Sequence, residues 1–114
     1  MGGFMRKIFA LFLLLFIFSG CATVGEDFNI AFVKQIEKGK TTKQEIINSF
    51  GLPFRKGIDN GDITWTYVYN KWSAGGTTYS KDLYIIFDKY GIVRSYVFNS
   101  NIPGEDVEKL IEGH

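Results

Sequence analysis

The chain has 114 residues, and its 13 basic and 12 acidic residues give a formal net charge of +1. This length fits one small domain with a core of modest size, and the near-neutral charge gives no support for nucleic-acid binding. Because it has only one cysteine, the chain cannot form an internal disulfide.

Residues 1–20 have the pattern of a secretory signal peptide. Two basic residues precede an apolar run from Ile8 to Phe18, and the small pair Ser19-Gly20 follows it. As a helix, this run would rise about 16 Å, against about 30 Å of bilayer hydrocarbon. We therefore expect cleavage rather than a permanent membrane span.

The segment Phe18-Ser19-Gly20-Cys21 resembles a bacterial lipobox. That resemblance implies a diacylglycerol on the Cys21 thiol, cleavage before Cys21 and a palmitate-type acyl chain on the new amine. Such chains anchor a protein firmly, since each buried CH₂ contributes about 0.8 kcal/mol. Ala22 and Thr23 follow instead of an aspartate, which favours transfer to the outer membrane. The alternative is an incidental buried cysteine within a simple secretion signal.

Cleavage would also change the charge of the chain. It would remove two of the 13 basic residues and none of the 12 acidic ones, which moves the formal net charge from +1 to −1. Residues 21–27 would then form a lipidated tether, with the folded domain at residues 28–100.

Two amphipathic helices are predicted at the start of this domain. Apolar residues recur at helical spacing between Phe28 and Lys38. A second helix begins at Thr42, because Thr42 and Glu45 have the spacing of a capping box. It ends at Gly51, where a left-handed conformation can close the helix.

Beyond Pro53 the pattern changes to that of strands. Residues 54–58 are compatible with a short strand before the turn Asp59-Asn60-Gly61-Asp62, since Asn-Gly is a strong hairpin signal. Residues 63–69 alternate, which places Trp65, Tyr67 and Tyr69 on one face. We regard these aromatic residues as core, with a ligand platform as the alternative.

The second half of the sheet is predicted as a hairpin after a long loop. Residues 70–81 contain Gly75-Gly76 and read as a mobile loop. Strands at 82–87 and 92–98 follow, joined by a type I turn at Asp88–Gly91. Phe87 would then face Val93 and Leu83 would face Val97, leaving an opposite face that carries Tyr84, Ile86, Arg94, Tyr96 and Phe98.

These elements predict an α+β fold, with two N-terminal helices packed on a three-stranded antiparallel sheet. Residues 101–114 form a tail or a short C-terminal helix, since Val107, Leu110 and Ile111 have helical spacing. Such a helix could cover the apolar face opposite the core.

Catalytic and metal-binding groups are scarce. The only histidine is the terminal His114, the only cysteine is assigned to lipidation, and the aspartates are spread over turns. We therefore predict no enzyme activity, no metal site and no cofactor other than the lipid on Cys21.

Protein contact is the remaining type of function. Aromatic and basic side chains in the loop, and those on the exposed face of the hairpin, are of the types enriched in interfaces. The candidate partner contacts are Lys71, Trp72, Tyr79, Tyr84, Arg94 and Tyr96.

A set of ordered motifs spans about residues 35–98. It comprises Ile36, Gly39-Lys40-Thr41-Thr42 with Glu45-Ile46, Phe50-Gly51-Leu52-Pro53, Trp65-Thr66-Tyr67, and Leu83-Tyr84-Ile85-Ile86-Phe87-Asp88 before Gly91-Ile92-Val93. Behind a lipobox, this set resembles the SmpA/OmlA (BamE-like) domain family of outer-membrane lipoproteins. The resemblance implies two helices on a three-stranded antiparallel sheet, without catalysis.

The resemblance also implies a location and a role. We expect a lipid-anchored scaffold or accessory protein on the periplasmic face of the bacterial outer membrane, with partners in envelope integrity or in the machinery that assembles β-barrel proteins. The alternative is a binding or inhibitory module that acts on another envelope protein or a ligand, because one fold serves several functions.

Overall fold

The computed structural model describes residues 21–76, 78–105 and 107. The described chain contains two α-helices and five β-strands. The helices are α1 (Ile30–Lys34) and α2 (Lys43–Phe50), and the strands are β1 (Cys21–Gly25), β2 (Arg55–Asp59), β3 (Asp62–Ser73), β4 (Thr78–Phe87) and β5 (Val93–Ser100).

The five strands form one antiparallel sheet in the order β1-β3-β4-β5, and β2 also pairs with β3. Strands β1 and β2 share one edge of β3, where Gly25 is opposite Tyr69 and Arg55 is opposite Thr66. The prediction of two helices on a three-stranded sheet is therefore wrong, because the protein is mostly β. The short segment of β1 has no alternating pattern of its own, and its hydrogen-bond partners come from β3 far along the chain.

The prediction of a mobile loop at residues 70–81 is also wrong. Strand β3 continues to Ser73 and β4 begins at Thr78, with Lys71 opposite Tyr79 and Trp72 opposite Thr78. The polar residues here are poor strand formers alone, but pairing on both sides of β3 satisfies their backbone groups.

Helix α2 begins as predicted. The Thr42 hydroxyl accepts a hydrogen bond from the Glu45 amide at 3.1 Å, and Gly51 closes the helix with φ of 77°. Helix α1 is shorter than the predicted range of residues 28–38. Its backbone leaves the helix to bond β5, since the Gly39 amide donates to the Val93 carbonyl at 2.8 Å and Val93 donates to Thr41 at 2.8 Å.

The core lies between the helices and one face of the sheet. Trp65 and Tyr67 from β3 are buried there, as predicted from their alternation. They pack with Phe28, Val33, Ile36, Ile46, Leu83, Ile85, Phe87 and Val93. Edge-to-face contacts link the layers, such as Phe28 with Tyr67 at 6.4 Å between ring centroids.

A β-bulge changes the predicted register of the last hairpin. Phe87 faces Val93 as expected, but Ile86 then faces Ser95, so Arg94 is an extra residue. As a result, Leu83 faces Phe98 instead of Val97. Tyr96 and Phe98 therefore pack against the core, and their assignment to the opposite face is wrong.

The structure also tests the predicted turn before β3 and part of the predicted tether. The Asn60-Gly61 turn is confirmed, since both residues have positive φ, 49° and 86°. Residues 21–25, which were assigned to the tether, form β1. The signal segment at residues 1–20 and most of the C-terminal helix prediction lie outside the described residues.

Candidate functional site

A buried lysine connects three segments of the domain. The Lys81 side chain on β4 is 1% exposed, and its ammonium group lies 2.6 Å from Asp27 Oδ1 and 2.9 Å from Glu105 Oε1. It also donates to the Phe28 carbonyl and lies 4.7 Å from the Phe28 ring centroid. Two carboxylates and a carbonyl compensate the desolvated charge, so the arrangement ties both ends of the domain to the sheet.

This cluster does not have the features of a catalytic or metal site. The ammonium group is occupied by its partners, and no buried side-chain polar atom in the described part of the chain lacks a hydrogen bond. Within the same residues, no group of His, Cys, Asp and Glu could hold a metal ion. The Lys81 cluster is therefore best explained as a structural link.

Neither helix in the described ranges is long and apolar enough to cross a membrane.

A second feature is an apolar surface beside the edge of β3 that β1 and β2 share. Leu52 and Phe54 follow α2 and are 79% and 51% exposed. They line an open cavity of about 320 Å³ together with Gly25, the acidic Glu26, Phe50, Tyr67 and Val68. We call the exposed pair Leu52 and Phe54, with this cavity, the edge patch. Large side chains with this exposure beside a cavity have the form of a protein-contact surface.

The shape of the edge patch follows from the strand pairing. Strand β1 ends opposite Tyr69 and β2 begins opposite Thr66, so Tyr67 and Val68 lie in the interval between the two edge strands. Gly25 turns away here with φ of 75°, and a Cβ on it would lie 1.9 Å from the Val68 carbonyl oxygen. Only glycine allows this close approach.

Tyr67 holds the end of α2 against this interval. Its hydroxyl donates to the Gly51 carbonyl at 2.8 Å, which satisfies an acceptor at the helix terminus. Burial raises the pKa of the Tyr67 hydroxyl to about 12, because the phenolate would lose its hydration. The side chain therefore acts as a neutral donor that positions Leu52 and Phe54.

The predicted partner contacts fall into separate regions. Lys71, Trp72 and Tyr79 lie together on paired strands, with Trp72 41% exposed. Tyr84 and Arg94 bond acidic residues near the β2–β3 turn, where the Tyr84 hydroxyl lies 3.2 Å from Asp59 and Arg94 Nε lies 2.9 Å from Asp62. Tyr96 is directed towards the core. A role in partner contact stays a prediction for all six.

The sequence interpretation did not identify Leu52 and Phe54. Leu52 contributes there only to the motif Phe50-Gly51-Leu52-Pro53, and Phe54 only to the predicted strand at residues 54–58. The available signal was two large apolar residues placed immediately around a proline, where the chain cannot continue a helix and tends to be exposed.

Comparison with known protein families gives a match over most of the domain. The family described as the outer membrane protein assembly factor BamE domain matches residues 28–109. This range contains both helices, strands β2 to β5, Leu52 and Phe54 of the edge patch but not Gly25, and the Lys81 cluster apart from Asp27. No curated protein matches the chain significantly.

Proposed function

Because this chain belongs to the BamE domain family, we propose that it is a non-catalytic accessory protein of outer-membrane protein assembly. In this proposal a lipid on Cys21 holds the domain at the periplasmic face of the outer membrane. The domain acts there through contacts with proteins of the barrel-assembly machinery. The observation that supports this role most directly is the family match, which covers residues 28–109.

The edge patch is the proposed contact surface. Leu52, at 79%, has the highest exposure among the large apolar side chains in the described residues, and Phe54 is 51% exposed. Their backbone is held by α2 and by the Tyr67 hydrogen bond, so a partner would meet a surface that is already ordered. Side-chain ordering opposes association, and a preformed apolar anchor reduces that cost.

The test is affinity purification of the full-length protein from detergent-solubilised membranes, after crosslinking in cells. Wild type should recover barrel-assembly subunits. The double variant Leu52→Glu/Phe54→Glu should recover much less of them, because a carboxylate would be desolvated at the interface. Both side chains are exposed, so the fold should tolerate the substitutions.

The matched control is Val97→Glu, since Val97 is 54% exposed on β5. It should leave recovery unchanged. Reproducible absence of barrel-assembly subunits from the wild-type sample, with other envelope proteins present, would contradict the proposed role. Equal recovery with the double variant would reject the edge patch as the contact surface.

Lipid anchoring has its own test. A Cys21→Ala variant should remain unlipidated and leave the membrane fraction, whereas wild type should carry a lipidated N-terminal peptide detectable by mass spectrometry. Membrane association of an uncleaved variant through the segment from Ile8 to Phe18 would contradict lipid anchoring.

A further inference from the structure

Parts of three paired strands continue beyond the end of β5 as a narrow ribbon. We call residues 21–24, 70–73 and 78–80 the ribbon; it begins where β5 ends, since Ser100 is opposite Lys81. None of the ribbon side chains that the structure describes is buried. Hydrophobic packing therefore does not explain why these residues extend into solvent.

The proposed anchor lies at the far end of this ribbon. Cys21 is the first residue of β1 and is opposite Ser73, the last residue of β3, and Ala22 is opposite Trp72. Paired strands lie about 4.8 Å apart. A lipid on Cys21 would therefore leave the protein directly beside the turn that joins β3 to β4, with no flexible chain between lipid and sheet.

The residues at this end suit a lipid surface. Trp72 is 41% exposed, and Lys71 is opposite Tyr79 on the neighbouring strand. Tryptophan and tyrosine favour the boundary between hydrocarbon and headgroups, and lysine can extend its ammonium group to phosphates. The ribbon sequence contains Lys71 and no aspartate or glutamate, although cleavage would make the whole chain slightly acidic.

We propose that the end of the ribbon that begins with Cys21, here called the ribbon tip, lies in the headgroup region of a phospholipid leaflet. Trp72 and Tyr79 would lie at the interface, and Lys71 close to lipid phosphates. This inference rests on the proposed membrane anchoring through Cys21. It adds an orientation, because a three-stranded ribbon cannot swivel as a single extended chain does. From Cys21 to Gly25 the strand spans about 13 Å, so the edge patch, which begins at Gly25, would face partners at a defined height above the membrane.

The experiment uses tryptophan fluorescence of the full-length lipoprotein purified from membranes. It is reconstituted into vesicles of phosphatidylethanolamine and phosphatidylglycerol with brominated acyl chains, which quench nearby indole rings. Trp65 is 6% exposed in the core and Trp72 is exposed. A Trp72→Phe variant gives the Trp65 signal alone, and the difference from wild type gives the Trp72 signal.

The matched control moves the tryptophan to the opposite end of β4. Tyr90 is 76% exposed beside Lys89, whose ammonium group lies 5.1 Å from its ring centroid. The ribbon tip and this turn therefore both carry an exposed aromatic residue and a lysine. In the double variant Trp72→Phe/Tyr90→Trp, the new tryptophan should show no quenching beyond that of Trp65.

The expected result is a blue shift and strong quenching of Trp72 emission, with neither effect at position 90. A lipidated, vesicle-bound protein whose Trp72 is unquenched would overturn this inference and leave the anchoring proposal intact. Shielding of Trp72 from aqueous quenchers without quenching by brominated lipid would indicate a protein contact and also overturn it. Absence of the protein from the membrane would overturn both proposals.

Discussion

The ammonium group of Lys81 lies 2.6 Å from the carboxylate of Asp27, although the lysine side chain is 1% exposed and the aspartate side chain is 65% exposed. The cation is thus inside the domain while its partner remains at the surface. Asp27 comes two residues after the end of β1. The ion pair therefore secures the chain where it passes from the ribbon to α1, with Glu105 attached to the same cation.

A Lys81→Met substitution should lower the free energy of unfolding by about 2 to 3 kcal/mol. Methionine retains the apolar stem but leaves Glu105, whose side chain is 19% exposed, without its cation, and breaking a buried pair is costly. Urea denaturation should measure the loss. Lys89→Met is the matched control, because Lys89 is exposed. Equal effects of the two substitutions would contradict a structural role for the cluster.

A Tyr67→Phe substitution should change the pH dependence of stability. The pKa of Tyr67 is raised from 10.0 to about 12 in the folded protein, so the native state retains a proton that the unfolded state loses. The stabilisation that comes from the raised pKa of Tyr67 is complete below pH 10 and is lost as the pH rises through about 12. In the phenylalanine variant this loss should be absent.

The same variant should also lose about 1 kcal/mol at neutral pH, because the Gly51 carbonyl no longer accepts the hydroxyl. Denaturation curves at neutral pH and between pH 10 and 12 measure both effects. Parallel stability losses for wild type and variant over the alkaline range would show that Tyr67 titrates as it does in the unfolded chain.

A Gly25→Ala substitution should detach β1 from β3. The left-handed conformation costs about 1 to 2 kcal/mol for a residue with a Cβ, and that Cβ would collide with the Val68 carbonyl. Hydrogen exchange should therefore accelerate at the amides of residues 21–25. Gly75→Ala is the control, since a Cβ there meets nothing within 4 Å; faster β1 exchange in both variants would argue against the collision.

Substitutions on β5 should show the register set by the bulge. Tyr96→Asp should lower the free energy of unfolding by about 3 kcal/mol, since it brings a charge to a side chain packed on the core. Val97→Asp should change it by less than about 0.5 kcal/mol, because Val97 is 54% exposed. Thermal unfolding measures both changes. A larger loss of stability in Val97→Asp than in Tyr96→Asp would support the register without a bulge.

Local signals in the sequence predicted several elements well. Thr42 caps α2, and Asn60 and Gly61 form the hairpin turn. Trp65 and Tyr67 are buried, as the alternation of residues on β3 predicts. Each of these depends on residues within a few positions of one another. The ordered motifs also identified the family, because they carry these same local features in a set order along the chain.

The candidate sites were harder to predict from the sequence. Lys71, Trp72 and Tyr79 were selected as contacts, but their position beside Cys21 depends on pairing between β1 and β3. Leu52 and Phe54 flank Pro53 in the sequence, but the cavity that they line also includes Tyr67 and Gly25 from distant segments. Sequence spacing does not contain these relationships.

By itself, the sequence determined the capped helix, the tight turn, the aromatic strand and membership in a family. These features arise from backbone preferences and side-chain periodicity, which act over short distances. The tertiary structure alone decided that β1 joins the sheet, that the bulge at Arg94 directs Tyr96 inwards, and that Lys81 is buried. These outcomes depend on hydrogen bonds and charges contributed by distant segments, so they are specified only when the strands meet.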